Sequence, residues 1–131
     1  MRELFFDKES RLKMVEGVND AGNAIGRTLG PSGMTVIIDP GNGNPPIMTK
    51  DGVTVATLID SKDRIKKTGI MLIRQASEST VKDCGDGTTT SAVLAQNMIN
   101  AGVEAVNAGG NAQQIKSGIE KAVNCIVEKL K

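Results

Sequence analysis

The chain has 131 residues, a formal net charge of +1 and no histidine. Without histidine it contains neither a Ser-His-Asp triad nor a His-ligated zinc site. The near-neutral charge and the two aromatic residues argue against nucleic acid and anionic membranes as partners. The length suits one domain with a hydrophobic core, and the cytoplasm is the expected compartment.

The first predicted element is a helix over residues 8–29, with Asp7 as its N-cap. Apolar residues recur at spacings of three and four along it, which predicts one buried face. Gly22 and Gly26 lie one turn apart on this helix, and we expect another backbone to pack closely there. The segment Gly30-Pro31-Ser32-Gly33 is expected to end the helix.

A β-hairpin over residues 36–49 comes next. Two short runs rich in β-branched residues flank eight residues of dense turn chemistry, from Asp39 to Pro46. An isolated hairpin is marginal in water, so this one requires a partner surface. Lys50-Asp51-Gly52 then predicts a sharp turn before a short helix over residues 53–59.

The rest of the chain predicts three longer helices, over residues 62–83, over residues 88–108, and from an Asn111 cap onward. The inner face of the first of these is expected to carry Ile65, Gly69, Leu72, Ile73 and Ala76. The last helix has the clearest apolar stripe and still has it at Lys131. We therefore expect a mainly α fold with a small β-hairpin that is apparently incomplete.

The two cysteines, Cys84 and Cys125, have no metal-ligand spacing and are expected to be free thiols. Cys84 is expected to be a buried, inert thiol. The longest strictly apolar run, Ile70-Met71-Leu72-Ile73, is far too short to span a bilayer.

The most specific motif is Gly85-Asp86-Gly87-Thr88-Thr89-Thr90. Its glycines permit a sharp turn and a close ligand approach, and the helix that follows presents unpaired N–H groups. Together with three hydroxyl groups these make an anion site suited to phosphates. Asp86 would repel phosphate unless a cation such as Mg²⁺ lay between them. A plain turn followed by a threonine-capped helix explains the same residues without a ligand.

Two other loops carry weaker signals. Thr28-Leu29-Gly30-Pro31-Ser32-Gly33 is a helix end with exposed backbone, and Thr49-Lys50-Asp51-Gly52 is a tight turn with both charges. Taken alone, each is explained better by ordinary turn chemistry than by a ligand site. The classical P-loop and the GxGxxG fingerprint are both absent, so a nucleotide site here is of another type.

Taken together, the three motifs resemble those of chaperonins in order and spacing, from about residue 5 to the end of the chain. The chain resembles the N-terminal part of a group I chaperonin subunit, the GroEL type. The resemblance implies that residues 1–131 form the first segment of an equatorial ATP-binding domain, a helical bundle with a small hairpin. It also implies that the intermediate and apical domains, with the main catalytic aspartate, are absent.

The resemblance further implies a site for ATP and Mg²⁺, with K⁺ as a possible third component. The residues implied to contact nucleotide or phosphates are Thr28, Leu29, Gly30, Pro31, Lys50, Asp86, Gly87, Thr88, Thr89 and Thr90. Asp86 is implied as the Mg²⁺ ligand. Asp51 is implied as an auxiliary catalytic residue that positions the attacking water or a monovalent cation.

The implied partners are other chaperonin subunits in a ring, reached through the hairpin 36–49 and the N-terminus. Unfolded proteins are implied as partners only of the full-length family. We expect this chain alone not to hydrolyse ATP efficiently. Two alternatives stay open: a self-standing short interaction protein that associates with a chaperonin ring, and a small nucleotide-binding regulator.

Overall fold

The computed structural model describes residues 7–131. The predicted hairpin and helices are all present, and the expectation of a mainly α fold with a small hairpin is confirmed. The expected N-terminal ring contact lies outside the described residues. The elements in chain order are α1 (Lys8–Gly26), β1 (Val36–Ile38), β2 (Ile47–Thr49), α2 (Gly52–Leu58), α3 (Arg64–Cys84), α4 (Thr88–Asn107) and α5 (Ala112–Leu130).

Side-chain caps begin four of the helices. Asp7, Asp51, Asp63 and Asn111 each accept hydrogen bonds from backbone N–H groups in the first turn, which have no partner inside the helix. The predicted caps Asp7 and Asn111 are confirmed. Backbone bonds from Ser10 and from Lys66 hold the pKa values of Asp7 and Asp63, respectively, below the ordinary value.

Helix α1 ends at Gly26, three residues earlier than predicted. The Thr28 hydroxyl donates to the Ile25 carbonyl at 2.7 Å, and the Met34 N–H donates to the Arg27 carbonyl at 2.7 Å. These bonds turn the chain away from the helix axis before Leu29, whose side chain remains 48% exposed. The helix predicted from apolar spacing was too long because this spacing does not show that side-chain hydroxyl and loop N–H groups compete with the helix for its last carbonyl groups.

The chain divides into two compact units, one ending at Asn97 and the other comprising Met98–Lys131. Among residues 7–131, the buried apolar side chains all lie in the first unit, where α1 packs against α3 and α2. They are Val18, Ala21, Ile25, Val55, Ala56, Ile70, Ile73 and Ala92.

Glycines set the distance between α1 and α3. A Cβ added at Gly17 would overlap the Lys66 carbonyl, and one added at Gly69 would overlap the Met14 carbonyl. The close backbone approach was expected at Gly22 and Gly26, and that expectation is wrong. At those two positions the neighbours are side chains of α4, from Gln96 and Val93 respectively.

The buried face of α3 also differs from the prediction. Gly69 and Ile73 are buried as expected, but Leu72 is 40% exposed and Ala76 only half-buried. Ile70 and Ser77 are buried instead. The contact at Gly69 fixes which side of α3 meets α1, and that rotates the buried stripe.

The hairpin pairs β1 with β2 antiparallel, with Ile37 opposite Met48. Helix α2 follows, and Arg74 of α3 secures its last turn. The Arg74 Nε donates to the Ala56 carbonyl at 2.8 Å and its Nη2 to the Ile59 carbonyl at 2.7 Å. A cation at the carbonyl end of a helix also complements the helix dipole.

In the second unit, no residue of α5 is buried. Its apolar residues Ile115 and Ile119 are half-buried, whereas Val123, Ile126, Val127 and Leu130 are exposed. Within residues 7–131, no helix is both long and apolar enough to cross a membrane. Cys84 and Cys125 are free and exposed, so the expectation of a buried Cys84 is wrong. Cys84 is the last residue of α3, where the chain leaves the core.

Candidate functional site

The first loop of the site follows α1. It is closed by the bond from the Met34 N–H to the Arg27 carbonyl and by one from the Gly33 N–H to the Gly30 carbonyl at 2.9 Å. Gly30 has a φ of +74°, a left-handed conformation that glycine adopts without steric cost. The loop therefore leaves the half-buried Thr28 and the exposed Leu29 and Gly30 beside the end of the helix.

The second loop joins the hairpin to α2 at Asp51. The Asp51 carboxylate accepts from the Val53 N–H at 3.2 Å, the Thr54 N–H at 3.0 Å and the Thr54 hydroxyl at 2.6 Å. Chiefly the hydroxyl bond, and then the backbone bonds, hold the pKa of Asp51 below its ordinary value. Asp51 is thus a fixed negative charge at neutral pH.

The third loop joins α3 to α4. Gly85 has a φ of +76° and its N–H donates to the Val81 carbonyl at 2.8 Å, which ends α3. The Asp86 carboxylate accepts from the Gly87 N–H at 2.7 Å, and α4 begins at Thr88. No described group accepts from the N–H groups of Thr88, Thr89 and Thr90, as is usual in a first helical turn.

The three loops meet where the hydroxyl oxygens of Thr28 and Thr89 lie 3.5 Å apart. Because the single Thr28 proton is used on the Ile25 carbonyl, Thr89 is the donor of this long contact. Gly52 fills the space beside both hydroxyls. A Cβ at Gly52 would overlap the Thr89 oxygen and lie 3.1 Å from that of Thr28. Only a residue without a side chain lets the loops approach in this way.

The loops enclose an open cavity of about 350 Å³, here called the loop cavity. Nine of the eleven residues predicted from the sequence line it: Thr28, Leu29, Gly30, Asp51, Asp86, Gly87, Thr88, Thr89 and Thr90. Pro31 and Lys50 are exposed and do not line it. Val53, Val81 and Gly85 also line it. Gly85 belongs to the predicted phosphate motif but was not named as a contact, and the two valines were not predicted. The two valines face it from helices, where apolar spacing indicated only packing.

The electrostatic character of the loop cavity is mixed. Of the residues that the structure describes, two carboxylates, Asp51 and Asp86, and no basic side chain line it. The N-terminal ends of α2 and α4 both adjoin it and carry partial positive charge. An anion there would meet backbone donors and hydroxyls together with two negative charges, so a cation is needed to neutralise the site.

Comparison with known proteins gives a consistent result. Residues 22–131 match the model of the TCP-1/cpn60 chaperonin family. A group III chaperonin in the open state is 25% identical, with a TM-score of 0.77 over 88% of this chain. The chaperonin gp146 of bacteriophage EL 2 (Pseudomonas aeruginosa), in a structure with ATP-BeFx, is 28% identical, with a TM-score of 0.73 over 94% of this chain. The matches cover only 22% and 21% of those chains.

Proposed function

Because the chain belongs to the TCP-1/cpn60 chaperonin family, we propose that it binds ATP with Mg²⁺ in the loop cavity. In this role it is the ATP-binding segment of a chaperonin that assists protein folding through ATP-driven ring cycles. The observation that carries the proposal is the convergence of nine predicted residues on one cavity, from loops far apart in the chain. The related phage chaperonin, whose structure was determined in the presence of ATP-BeFx, supports the same ligand class.

The donors of the loop cavity suit a phosphate chain. The free N–H groups at the start of α4 and the hydroxyls of Thr89 and Thr90 would contact phosphate oxygens. Glycine at 87, with a φ of +86°, keeps side-chain atoms away from the approaching anion. Lys50 and Pro31 remain proposed contacts, although they lie outside the lining.

Mg²⁺ fits the site through Asp86. No group of three or more acidic, cysteine or histidine side chains capable of holding a metal occurs within residues 7–131. Mg²⁺ is commonly held by one or two carboxylates together with phosphate oxygens, so a single aspartate is sufficient. When bound, the ion would neutralise the charge between Asp86 and the phosphates. The exposed Asp86 carboxylate can turn toward it after exchanging its bond with Gly87.

Asp51 suits an auxiliary role better than that of a base. Three hydrogen bonds stabilise its ionised form, so it is a weak proton acceptor and a good ligand for a water molecule or K⁺. The Thr28 hydroxyl, whose proton is already used, offers a second oxygen for such a cation. Within residues 7–131, Asp51 and Asp86 are the carboxylates that line the loop cavity, and we propose that the chain alone does not hydrolyse ATP efficiently.

The hairpin is the proposed contact with other subunits of a ring. Ile37 and Met48 lie opposite each other across the two strands and are 65% and 68% exposed. A hairpin of two three-residue strands is marginally stable by itself, and burial of this apolar pair against a neighbouring subunit would stabilise it. Binding of unfolded proteins is proposed only for full-length members of the family.

Titration calorimetry tests the nucleotide proposal. The chain should bind ATP with Mg²⁺ and lose most of the heat when the metal is chelated, since bare phosphates would face Asp51 and Asp86. Asp86→Asn should weaken Mg²⁺-dependent binding by about tenfold or more. Asp83→Asn is the matched control, because Asp83 is an exposed carboxylate near the end of α3 that does not line the cavity. Absence of Mg²⁺-dependent binding, or equal weakening by both variants, would refute the proposal.

A further inference from the structure

The tip of the hairpin carries a chemically reactive pair, Asn42-Gly43. In an Asn-Gly sequence the glycine nitrogen can attack the asparagine side-chain carbonyl, because glycine adds no side chain that hinders the approach. Asparagine is among the thermolabile residues of proteins. No other Asn-Gly pair occurs in the chain.

The structure leaves this pair unprotected. Asn42 and Gly43 are both exposed, in the eight-residue segment between β1 and β2. Asn42 has a φ of +55° between two glycines at +73° and +74°, a left-handed run that L residues rarely adopt. The bonds that hold the tip join Gly41 to Asp39 and Asn44 to Gly41. Within residues 7–131, none involves the Asn42 amide or the Gly43 N–H.

Two other sequences, Asn44-Pro45 and Asp51-Gly52, show how such a pair can be protected from this reaction. Asn44 lies in the same exposed tip, but Pro45 follows it and has no N–H to deprotonate, so this route is closed. Asp51-Gly52 is a related pair, but there the carboxylate is held by three bonds as the cap of α2, and Gly52 is buried. The Asn42-Gly43 pair has neither form of protection. Gly43 retains its N–H, and no hydrogen bond among the described residues holds the Asn42 side chain.

We infer that Asn42 is a site of spontaneous deamidation in the folded chain. The Gly43 nitrogen loses its proton to solvent base and bonds to Cγ of Asn42, and the side-chain nitrogen leaves as ammonia. The cyclic imide so formed takes up one water and opens to aspartate or isoaspartate. The net change exchanges an amide for a carboxylate and takes the formal net charge of the chain from +1 to zero. The inference does not depend on nucleotide binding.

The product alters the surface beside the hairpin strands. A new carboxylate joins Asp39 at the tip, and the isoaspartate form also inserts a methylene group into the backbone of the left-handed turn. Both changes occur a few residues from Ile37 and Met48, the exposed apolar pair of the hairpin. The chain would therefore become heterogeneous in charge and turn geometry at this place.

The experiment is peptide mass spectrometry on the full chain, aged at mildly alkaline pH and sampled over days, with a parallel sample unfolded in urea. We expect Asn42 to gain the mass of the amide-to-acid change, with both products present, while Asn44 stays unchanged. Because exposed loops sample many conformations, the folded chain should convert within about tenfold of the unfolded rate. Asn42→Gln should remove the change and the accompanying acidic shift in isoelectric focusing. An Asn42 that survives in the folded chain while converting in urea, or earlier conversion at another asparagine, would overturn the inference.

Discussion

Replacing Gly69 by alanine should strongly destabilise the first unit. The added Cβ would lie 2.8 Å from the Val18 nitrogen and closer still to the Met14 carbonyl oxygen. Both are backbone atoms of α1, so no side-chain rotation can relieve the overlap. The two helices must move apart, although alanine is by itself a better helix former than glycine.

The size of the effect follows from the packing of α1 on α3. Comfortable contacts between heavy atoms lie near 3.5 Å, so the helices must separate by roughly 1 Å, which forfeits a quarter to a half of each contact's attraction. Val18, Ile70 and Ile73 are 0–2% exposed at this interface. Overpacking of such a core costs about 1–3 kcal/mol, and the gain in helix propensity recovers less than about 1 kcal/mol. We expect a net loss of about 1–2 kcal/mol and a fall in Tm of roughly 5–10 °C.

The assay is thermal and urea unfolding followed by far-ultraviolet circular dichroism. Gly102→Ala and Gly118→Ala are matched controls, since both glycines lie inside helices and an added Cβ meets nothing within 4 Å. These controls should raise helicity and not lower the stability of the first unit. A Gly69→Ala chain that melts at or above the parent would refute the proposed role of the α1–α3 contact.

Three further predictions concern polar contacts. The low pKa of Asp51 means that its contribution to stability is present above the unfolded value near 3.8 and is lost as pH falls through the lower folded value. The difference in urea midpoint between the parent and Asp51→Ala should therefore shrink on acidification, and a constant difference would contradict this. Arg74→Lys should lower the free energy of unfolding in urea by about 1–2 kcal/mol, because a single ammonium group cannot replace both hydrogen bonds to the end of α2. An unchanged urea midpoint would show that these two bonds do not contribute to stability. Gln96→Leu removes the side-chain nitrogen that donates to the Asn19 and Asn23 side chains at 3.0 Å, and should lower the free energy of unfolding by about 1–2 kcal/mol in the same measurement. A gain in stability would mean that apolar packing outweighs these hydrogen bonds.

Local signals in the sequence predicted the elements well, because they depend on neighbouring residues. The caps Asp7 and Asn111 and the paired hairpin strands occur where they were predicted, and Gly85, in a motif predicted to turn sharply, ends α3. Nine of the residues predicted for the site line the loop cavity for the same reason, since each loop motif is contiguous. The placement of the chain in group I of the family remains a prediction.

Long-range features were harder to predict because no local pattern encodes them. Sequence spacing does not show that Gly17 and Gly69 face each other, or that side chains of α4 fill the space beside Gly22 and Gly26. The contact between α1 and α3 also determines how α3 is rotated about its axis, so that Ile70 rather than Leu72 is buried in the core. Gly52 looked like an ordinary turn residue, but its role comes from hydroxyls of two distant loops.

Helix α2 has only seven residues, about 10 Å of rise, and is held at both ends by ionic side chains. Asp51 holds its first turn at the loop cavity, and Arg74 holds its last turn from α3. Val55 and Ala56 are buried along its length, so it has little freedom to bend. Helix α2 therefore connects the loop cavity directly to α3, the longest helix of the fold. A ligand that draws the Asp51 carboxylate toward itself therefore competes with the cap bonds from Val53 and Thr54, and a shift of the whole helix would also strain the two Arg74 bonds to α3.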